Sequence, residues 1–176
     1  MPAPRPGRVL VGERELRSRI AELGAEIVGR YAGEPPVVVG VLQGAFLFMA
    51  DLVRAMPIDL ATDFVRLESY GSGTTSNGQV RLTHDLATSI EGRDVLVVED
   101  VVDTGLTLAA LRRALEARQP RSLRVCALCD KTERRQVDVR VDWVGFTLPN
   151  VFVVGYGLDY GGLYRNLPHV VALDRI

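Results

Sequence analysis

The 176 residues predict an α/β fold with a central, mainly parallel sheet flanked by helices. Two observations carry that expectation. Runs of continuous apolar, β-branched residues, such as Val37–Leu42 and 95–98, read as strands buried on both faces. Between such runs, apolar residues recur every three or four positions, the period of a helix with one buried face. Strand, helix and buried strand in alternation favour parallel pairing, because a parallel neighbour is reached only through a long crossover.

Each element has its own signal. Residues 1–8 hold three prolines and two arginines and predict a loose arm. Leu16, Ile20, Leu23 and Ile27 lie at helical spacing within 13–31, and Gly33 to Pro36 end that helix. The buried strand Val37–Leu42 follows. Gly44 opens a second helix that stops near Met56 and Pro57. Residues 58–70 look extended, and the small polar segment GSGTTSNG at 71–78 reads as a mobile loop, because strand residues resume at Val80 and Leu82. A strand at 95–98, a helix at 106–118 and a buried strand at 123–128 come next, with short strands at 151–154 and Val170–Leu173. No repeat or low-complexity block divides the chain, and 176 residues suit a single domain spanning 1–176.

Composition narrows the function classes. The chain is 47% apolar and 24% charged, as an ordinary globular protein is. Its 21 basic and 22 acidic side chains leave a net charge of −1, which argues against a general nucleic-acid or membrane-surface binder. The longest apolar stretch, 37–50, is interrupted by Gln43 and two glycines and falls short of the ~20 residues of a membrane span. The first residues lack the apolar core of a signal peptide, so a cytoplasmic protein is expected. Two cysteines exclude a disulfide scaffold, and Cys126 and Cys129, on an expected buried strand with no second pair, read as buried thiols.

The segment with the most chemistry is VLVVEDVVDTGLT at 95–107. An apolar strand ends in adjacent carboxylates, Glu99 and Asp100, followed by Asp103 and by Thr104, Gly105 and Thr107 at the start of a helix. In open α/β sheets ligands bind beyond the carboxyl ends of strands. A small-residue loop entering a helix presents free N–H groups that suit a phosphate. Paired carboxylates beside it accept hydrogen bonds from sugar hydroxyls or hold Mg²⁺. Together these features point to a ribose phosphate. The sequence holds no GxxxxGK[ST], and Gly155, Gly157 and Gly161 have the wrong spacing for a dinucleotide fingerprint.

The same segment closely resembles the phosphoribosyl diphosphate (PRPP) signature of the type I phosphoribosyltransferases. The C-terminal half resembles the bacterial hypoxanthine-guanine branch of that family. The residues that carry this second likeness are Asp130-Lys131, Val144-Gly145-Phe146, FVVGYGLDY at 152–160 and Tyr164-Arg165-Asn166-Leu167-Pro168. The likeness runs from about Val9 to Leu173, with the motifs in the family's order.

The resemblance implies a hood built from terminal segments over the sheet, and Mg²⁺-dependent transfer of 5-phosphoribose from PRPP to a 6-oxopurine base. It also implies a homo-oligomer, either dimer or tetramer. By the same resemblance, Glu99 and Asp100 bind the ribose hydroxyls, and Asp103, Thr104, Gly105, Leu106 and Thr107 grip the 5′-phosphate. Asp103 is the implied general base near N7 of the purine. Lys131 contacts the 6-oxo group, Phe152 stacks on the ring, and the Val153 backbone bonds its edge. Asp159, grouped with the purine-binding residues, joins Glu99 and Asp100 in holding Mg²⁺. Leu42, Gln43, Gly44, Ser69, Tyr70 and Arg165 belong to the pyrophosphate end, with Ser69 and Tyr70 at the root of a mobile loop over 69–79. The family often has a cis peptide at the position of Leu42–Gln43.

One residue departs from the pattern. Gln43 stands where the family commonly has lysine or arginine, so weaker PRPP or pyrophosphate binding is expected. Plainer readings accompany these roles. Asp103 also suits a helix N-cap, Phe152 suits core packing, and Asp159 and Arg165 suit a structural ion pair. Tyr156, Tyr160 and Tyr164 read as packing alone. Two other functions fit the same motifs: a xanthine-preferring transferase, and a PRPP-sensing regulatory protein that binds nucleic acid.

Overall fold

The computed structural model describes residues 5–31, 33–69 and 80–174. Six strands form the main sheet in the order β4 (Val80–His84), β3 (Ala61–Ser69), β2 (Val37–Leu42), β5 (Asp94–Val102), β6 (Ser122–Asp130) and β7 (Trp143–Thr147). All neighbours are parallel except the edge pair β3–β4. Alternate side chains of the central strands feed two cores. Val38, Leu96, Val98 and Leu128 pack toward helices α1 (Glu13–Arg30) and α2 (Phe46–Arg54). Val37, Val39, Val95, Val97 and Val125 pack with Leu108, Leu111 and Leu115 of α3 (Leu106–Glu116). Period-two alternation within an all-apolar run is what burial on both faces demands.

The helices begin and end for local reasons. Gly12 precedes α1, and its N–H donates to Glu15 Oε2 at 2.7 Å, satisfying a donor at the helix entry. Glu13 and Glu15 in the first turn and Arg30 in the last match the helix dipole. Among the described residues no helix is long and apolar enough to cross a membrane.

A second, three-stranded antiparallel sheet has the order β1 (Pro6–Val11), β9 (Val170–Leu173), β8 (Val153–Val154). It is the hood expected from the terminal segments. Of the loose arm expected over 1–8, residues 1–4 lie outside the described residues, and the part from Pro6 to Arg8 is corrected here. The chain is already a strand at Pro6, because Val9 and Val11 pair with Val171 and Val170. Prolines and arginines at the N-terminus hid that pairing, which depends on residues about 160 positions away. The strand expected at 95–98 runs on to Val102 because β6 also continues, with Val102 opposite Asp130. The expected strand at 151–154 is regular only at Val153–Val154. Residues 70–79, with Tyr70 and almost all of the expected mobile loop, lie outside the described residues.

Candidate active site

The carboxyl ends of β2, β5 and β6 all reach one end of the main sheet, and the hood's residues 152–159 stand beside them. Two cavities lie there. One, of about 220 Å³, is lined by Glu99, Asp103, Thr104, Gly105, Thr107 and Leu108. The other, of about 270 Å³, is lined by Asp103, Lys131, Arg134, Phe152, Val153 and Asp159, among others. Val101 and Asp103 line both, so the cavities meet at the Asp103 backbone turn.

The first cavity lies at the entrance of α3. Gly105 caps α3, and the first intrahelical bond runs from Ala109 N–H to the Gly105 carbonyl at 2.9 Å. The amides of Thr107 and Leu108 therefore precede the helix's own ladder and are available to an anion, while the Leu106 N–H reaches Thr104 Oγ1 at 3.4 Å. Glu99 is buried. Burial and the neighbouring Asp100 raise its pKa well above the usual carboxylate range. Burial also pushes Asp100 up to about 6, against the Val101 N–H, which donates to its Oδ1 at 2.7 Å. Two adjacent carboxylates with raised pKa values call for a donor-rich or cationic ligand.

Donor chemistry fits Mg²⁺ held chiefly by a ligand's phosphates, since that ion keeps waters and takes one or two carboxylates. Glu99, Asp100 and Asp159 are not drawn together, among the described residues, as one three-carboxylate cage. Among the described residues no three carboxylate, imidazole or thiol groups gather to hold a metal. Asp159 is already engaged by Arg165 at 2.7 Å and by the Gly162 N–H at 2.7 Å.

The second cavity has a flat apolar wall and a cationic corner. Phe152 is 54% exposed, so it is not core; its ring meets Tyr160 edge-on at 5.8 Å. Lys131, by contrast, is only 5% exposed, and burial lowers its pKa while Asp103 opposes that. Its Nζ lies 3.9 Å from Asp103 Oδ2, and Arg134 Nε lies 2.8 Å from Asp103 Oδ1. Asp103 thus faces two cations at the junction of the cavities. The turn that carries them is tied to the first cavity by Lys131 N–H to Val102 O and Gln136 N–H to Thr104 O, both 2.9 Å.

The third group lies at the other side of Asp100. The Leu42–Gln43 peptide is cis, and Gln43 is exposed. Gly44 has no room for a side chain, since a Cβ there would lie 1.5 Å from Asp100 Oδ2. Gly157 (φ 99°) closes on the same turn, where a Cβ would lie 2.1 Å from the Gly44 carbonyl oxygen. Arg165 is brought in by its bond to the Gly157 carbonyl and by its ion pair with Asp159. The expected structural pairing of those two residues is present, and it leaves both beside Asp100.

The sequence analysis missed Arg134 and Tyr160. Arg134 had only its nearness to Lys131 as a signal. Tyr160 had none, because its contact with Phe152 depends on the turn between them. Cys126 and Cys129 are buried and unpaired, and burial raises both thiols, so they have no nucleophilic character.

The profile of the phosphoribosyl transferase domain matches residues 13–161, most of the chain. The chain belongs to the phosphoribosyl transferase family. This phosphoribosyltransferase is 45% identical over 166 residues to the hypoxanthine-guanine phosphoribosyltransferase of Bacillus subtilis, covering 94% of this chain and 92% of that one. It is 49% identical over 164 residues to the hypoxanthine phosphoribosyltransferase of Salmonella typhimurium, with 92% of each covered. A crystal structure of a hypoxanthine phosphoribosyltransferase from Staphylococcus aureus superposes with a TM-score of 0.93 at 43% identity, covering 96% of this chain and 92% of that one.

Proposed function

We propose that this phosphoribosyltransferase transfers the 5-phosphoribosyl group of PRPP to hypoxanthine or guanine, giving IMP or GMP and pyrophosphate, a purine salvage reaction. The observation that carries the reading is the pair of cavities meeting at Asp103. One suits a ribose 5-phosphate and the other a flat base with a polar edge, and the bond to be made lies between them.

The roles follow from position. The α3 entrance and Thr104 to Thr107 take the 5′-phosphate, and Glu99 and Asp100 take the ribose hydroxyls. Phe152 offers its exposed face to the purine, Val153 its backbone, and Lys131 donates to the 6-oxo oxygen. As the C1′–oxygen bond to pyrophosphate breaks and the C1′–nitrogen bond forms, the purine must lose a proton. The Asp103 carboxylate at the junction accepts it, a contribution of ~10²–10⁴-fold. Arg165 and the 42–45 turn serve the leaving pyrophosphate, a role the resemblance extends to Ser69 and Tyr70. Mg²⁺ carried by PRPP, with Glu99 and Asp100 at hand, supplies charge neutralisation of that leaving group. Two free thiols suit a reducing, cytoplasmic setting. Assembly as a dimer or tetramer is part of the same reading and rests on the resemblance.

A base panel tests it. Protein, PRPP and Mg²⁺ are mixed with hypoxanthine, guanine, xanthine, adenine or uracil, and nucleotides are separated by chromatography. IMP and GMP without AMP or UMP are expected. Dominant XMP would instead favour a xanthine-preferring enzyme. No nucleotide from any base, with PRPP still bound, would move the assignment to a regulatory sensor.

A further inference from the structure

Tyr156 stands in an unusual place. Its φ is 51°, between Gly155 at 96° and Gly157 at 99°. Glycine takes such values freely, whereas a tyrosine does so only when its surroundings hold it there. The side chain is buried, so its hydroxyl needs a partner to offset lost hydration. That partner lies across the fold. The Tyr156 hydroxyl donates to Oδ2 of Asp51, near the middle of α2, while Arg54 holds the other oxygen of the same carboxylate. Burial and Asp51 both raise the tyrosine pKa, so the hydroxyl remains a donor.

Each end of this bond carries part of the pyrophosphate end of the site. α2 starts at Phe46, directly after the 42–45 turn. Tyr156 is followed by Gly157 and Asp159, and the Gly157 N–H bonds the Arg165 carbonyl at 3.0 Å. Gly157 in turn presses on Gly44. The turn and the Arg165 loop come from different parts of the chain, and the Tyr156–Asp51 bond is a side-chain tie between them.

We propose that Tyr156 is a positioning residue for the pyrophosphate end: its hydrogen bond to Asp51 fixes the 155–165 loop against the 42–45 turn, so that Arg165 and the turn engage one diphosphate. The inference rests on the function proposed above. The base end is held by other means. Val153 pairs with Ala172, and Leu173 N–H bonds the Phe152 carbonyl at 2.9 Å. Loss of the tie therefore acts chiefly on PRPP, because Phe152 and Val153 keep their own bonds and only Leu158 and Asp159 of the base cavity's lining lie in the tied loop.

The test is a double-mutant cycle of Tyr156→Phe and Asp51→Ala, with Asp51→Asn as the conservative variant. KM for PRPP, KM for hypoxanthine, the PRPP dissociation constant by calorimetry with Mg²⁺, and melting temperature are all measured. Each disruptive variant should raise the PRPP values ~5–10-fold, the scale of one ordinary hydrogen bond. The hypoxanthine KM should stay within ~2-fold, and the double variant should be no worse than the poorer single one, as coupled residues require. Asp51→Asn, which keeps an acceptor oxygen, should restore most of the PRPP affinity. An unchanged PRPP dissociation constant in Tyr156→Phe overturns the proposal. So do additive effects in the cycle, or a parallel rise in both KM values. Should the unmutated protein make no nucleotide, the functional reading fails instead, and calorimetry with PRPP still decides the role of Tyr156.

Discussion

At the scale of single residues, the site is a problem in placing charge. Asp103 is flanked by Lys131 and Arg134, so two cations stand beside its carboxylate before a base arrives. Asp103→Asn keeps the size and the hydrogen-bonding capacity but removes the proton acceptor. Turnover should fall ~10²–10⁴-fold, while the PRPP dissociation constant, measured by calorimetry, changes by less than ~3-fold. Equal turnover would remove Asp103 as the base. Asp100 shows the opposite electrostatics, because burial lifts its pKa to about 6. The folded protein therefore binds this proton more tightly than the unfolded chain does. Stability from Asp100 is fully present below the unfolded value and is lost as pH rises toward 6. Asp100→Asn should consequently raise the melting temperature at pH 7.5 by ~2–4 °C, for about 1 kcal/mol after allowance for partial exposure, and have little effect at pH 4. A melting shift that is the same at both pH values would show that the carboxylate is not strained by burial. These two carboxylates were legible in the sequence, since position at a strand end and a helix start is a local property. Arg134, Tyr160 and the tie at Tyr156 were not, because each owes its role to a contact across the fold.

At the scale of elements, the same division holds. Val37–Leu42 is unmistakable as a strand, because a run that is apolar on both faces fits only a covered sheet. Within the strand Trp143–Thr147, the sequence offers only Val144-Gly145-Phe146, for its likeness to the family and not as a strand. Its four half-buried residues and exposed Thr147 carry no alternation, and its place at the sheet edge comes from pairing with β6. The turns that build the site depend on contacts that no local pattern announces. Gly44, Gly157 and Asp100 are stacked so closely that each limits the others. Gly157→Ala meets two obstacles, a φ of 99° and a backbone oxygen 2.1 Å from the new carbon. Neither obstacle can yield by rotating a side chain. Thermal denaturation should show a loss of ~1–3 kcal/mol, and PRPP binding should weaken by more than ~10-fold because the Arg165 loop is pushed off the 42–45 turn. Wild-type affinity in that variant would mean that the two turns need not touch for binding.

At the scale of the molecule, the two sheets differ in how firmly they are built. The main sheet is covered by helices on both faces, whereas the hood has three short strands, one of only two residues. Elements with few buried contacts open well below the global unfolding free energy, so the hood should exchange its amide hydrogens faster than β2 or β5. The proposed phosphate cradle belongs to β5, the 103–105 turn and the start of α3, but the base cavity takes Phe152, Val153 and Asp159 from the hood region. A ligand confined to the cradle therefore leaves the hood as free as before, while a ligand that fills both cavities joins the sheets. Ribose 5-phosphate and IMP make that comparison, each at ~100 times its dissociation constant, where linkage opposes opening by about 2.7 kcal/mol. With IMP, amides of Val153, Val154 and Val170–Leu173 should exchange ~100-fold more slowly, whereas with ribose 5-phosphate protection should be confined to residues near 103–108. Equal protection of the hood by both ligands would show that the cradle and hood already move as one body, and that the base adds nothing to their connection.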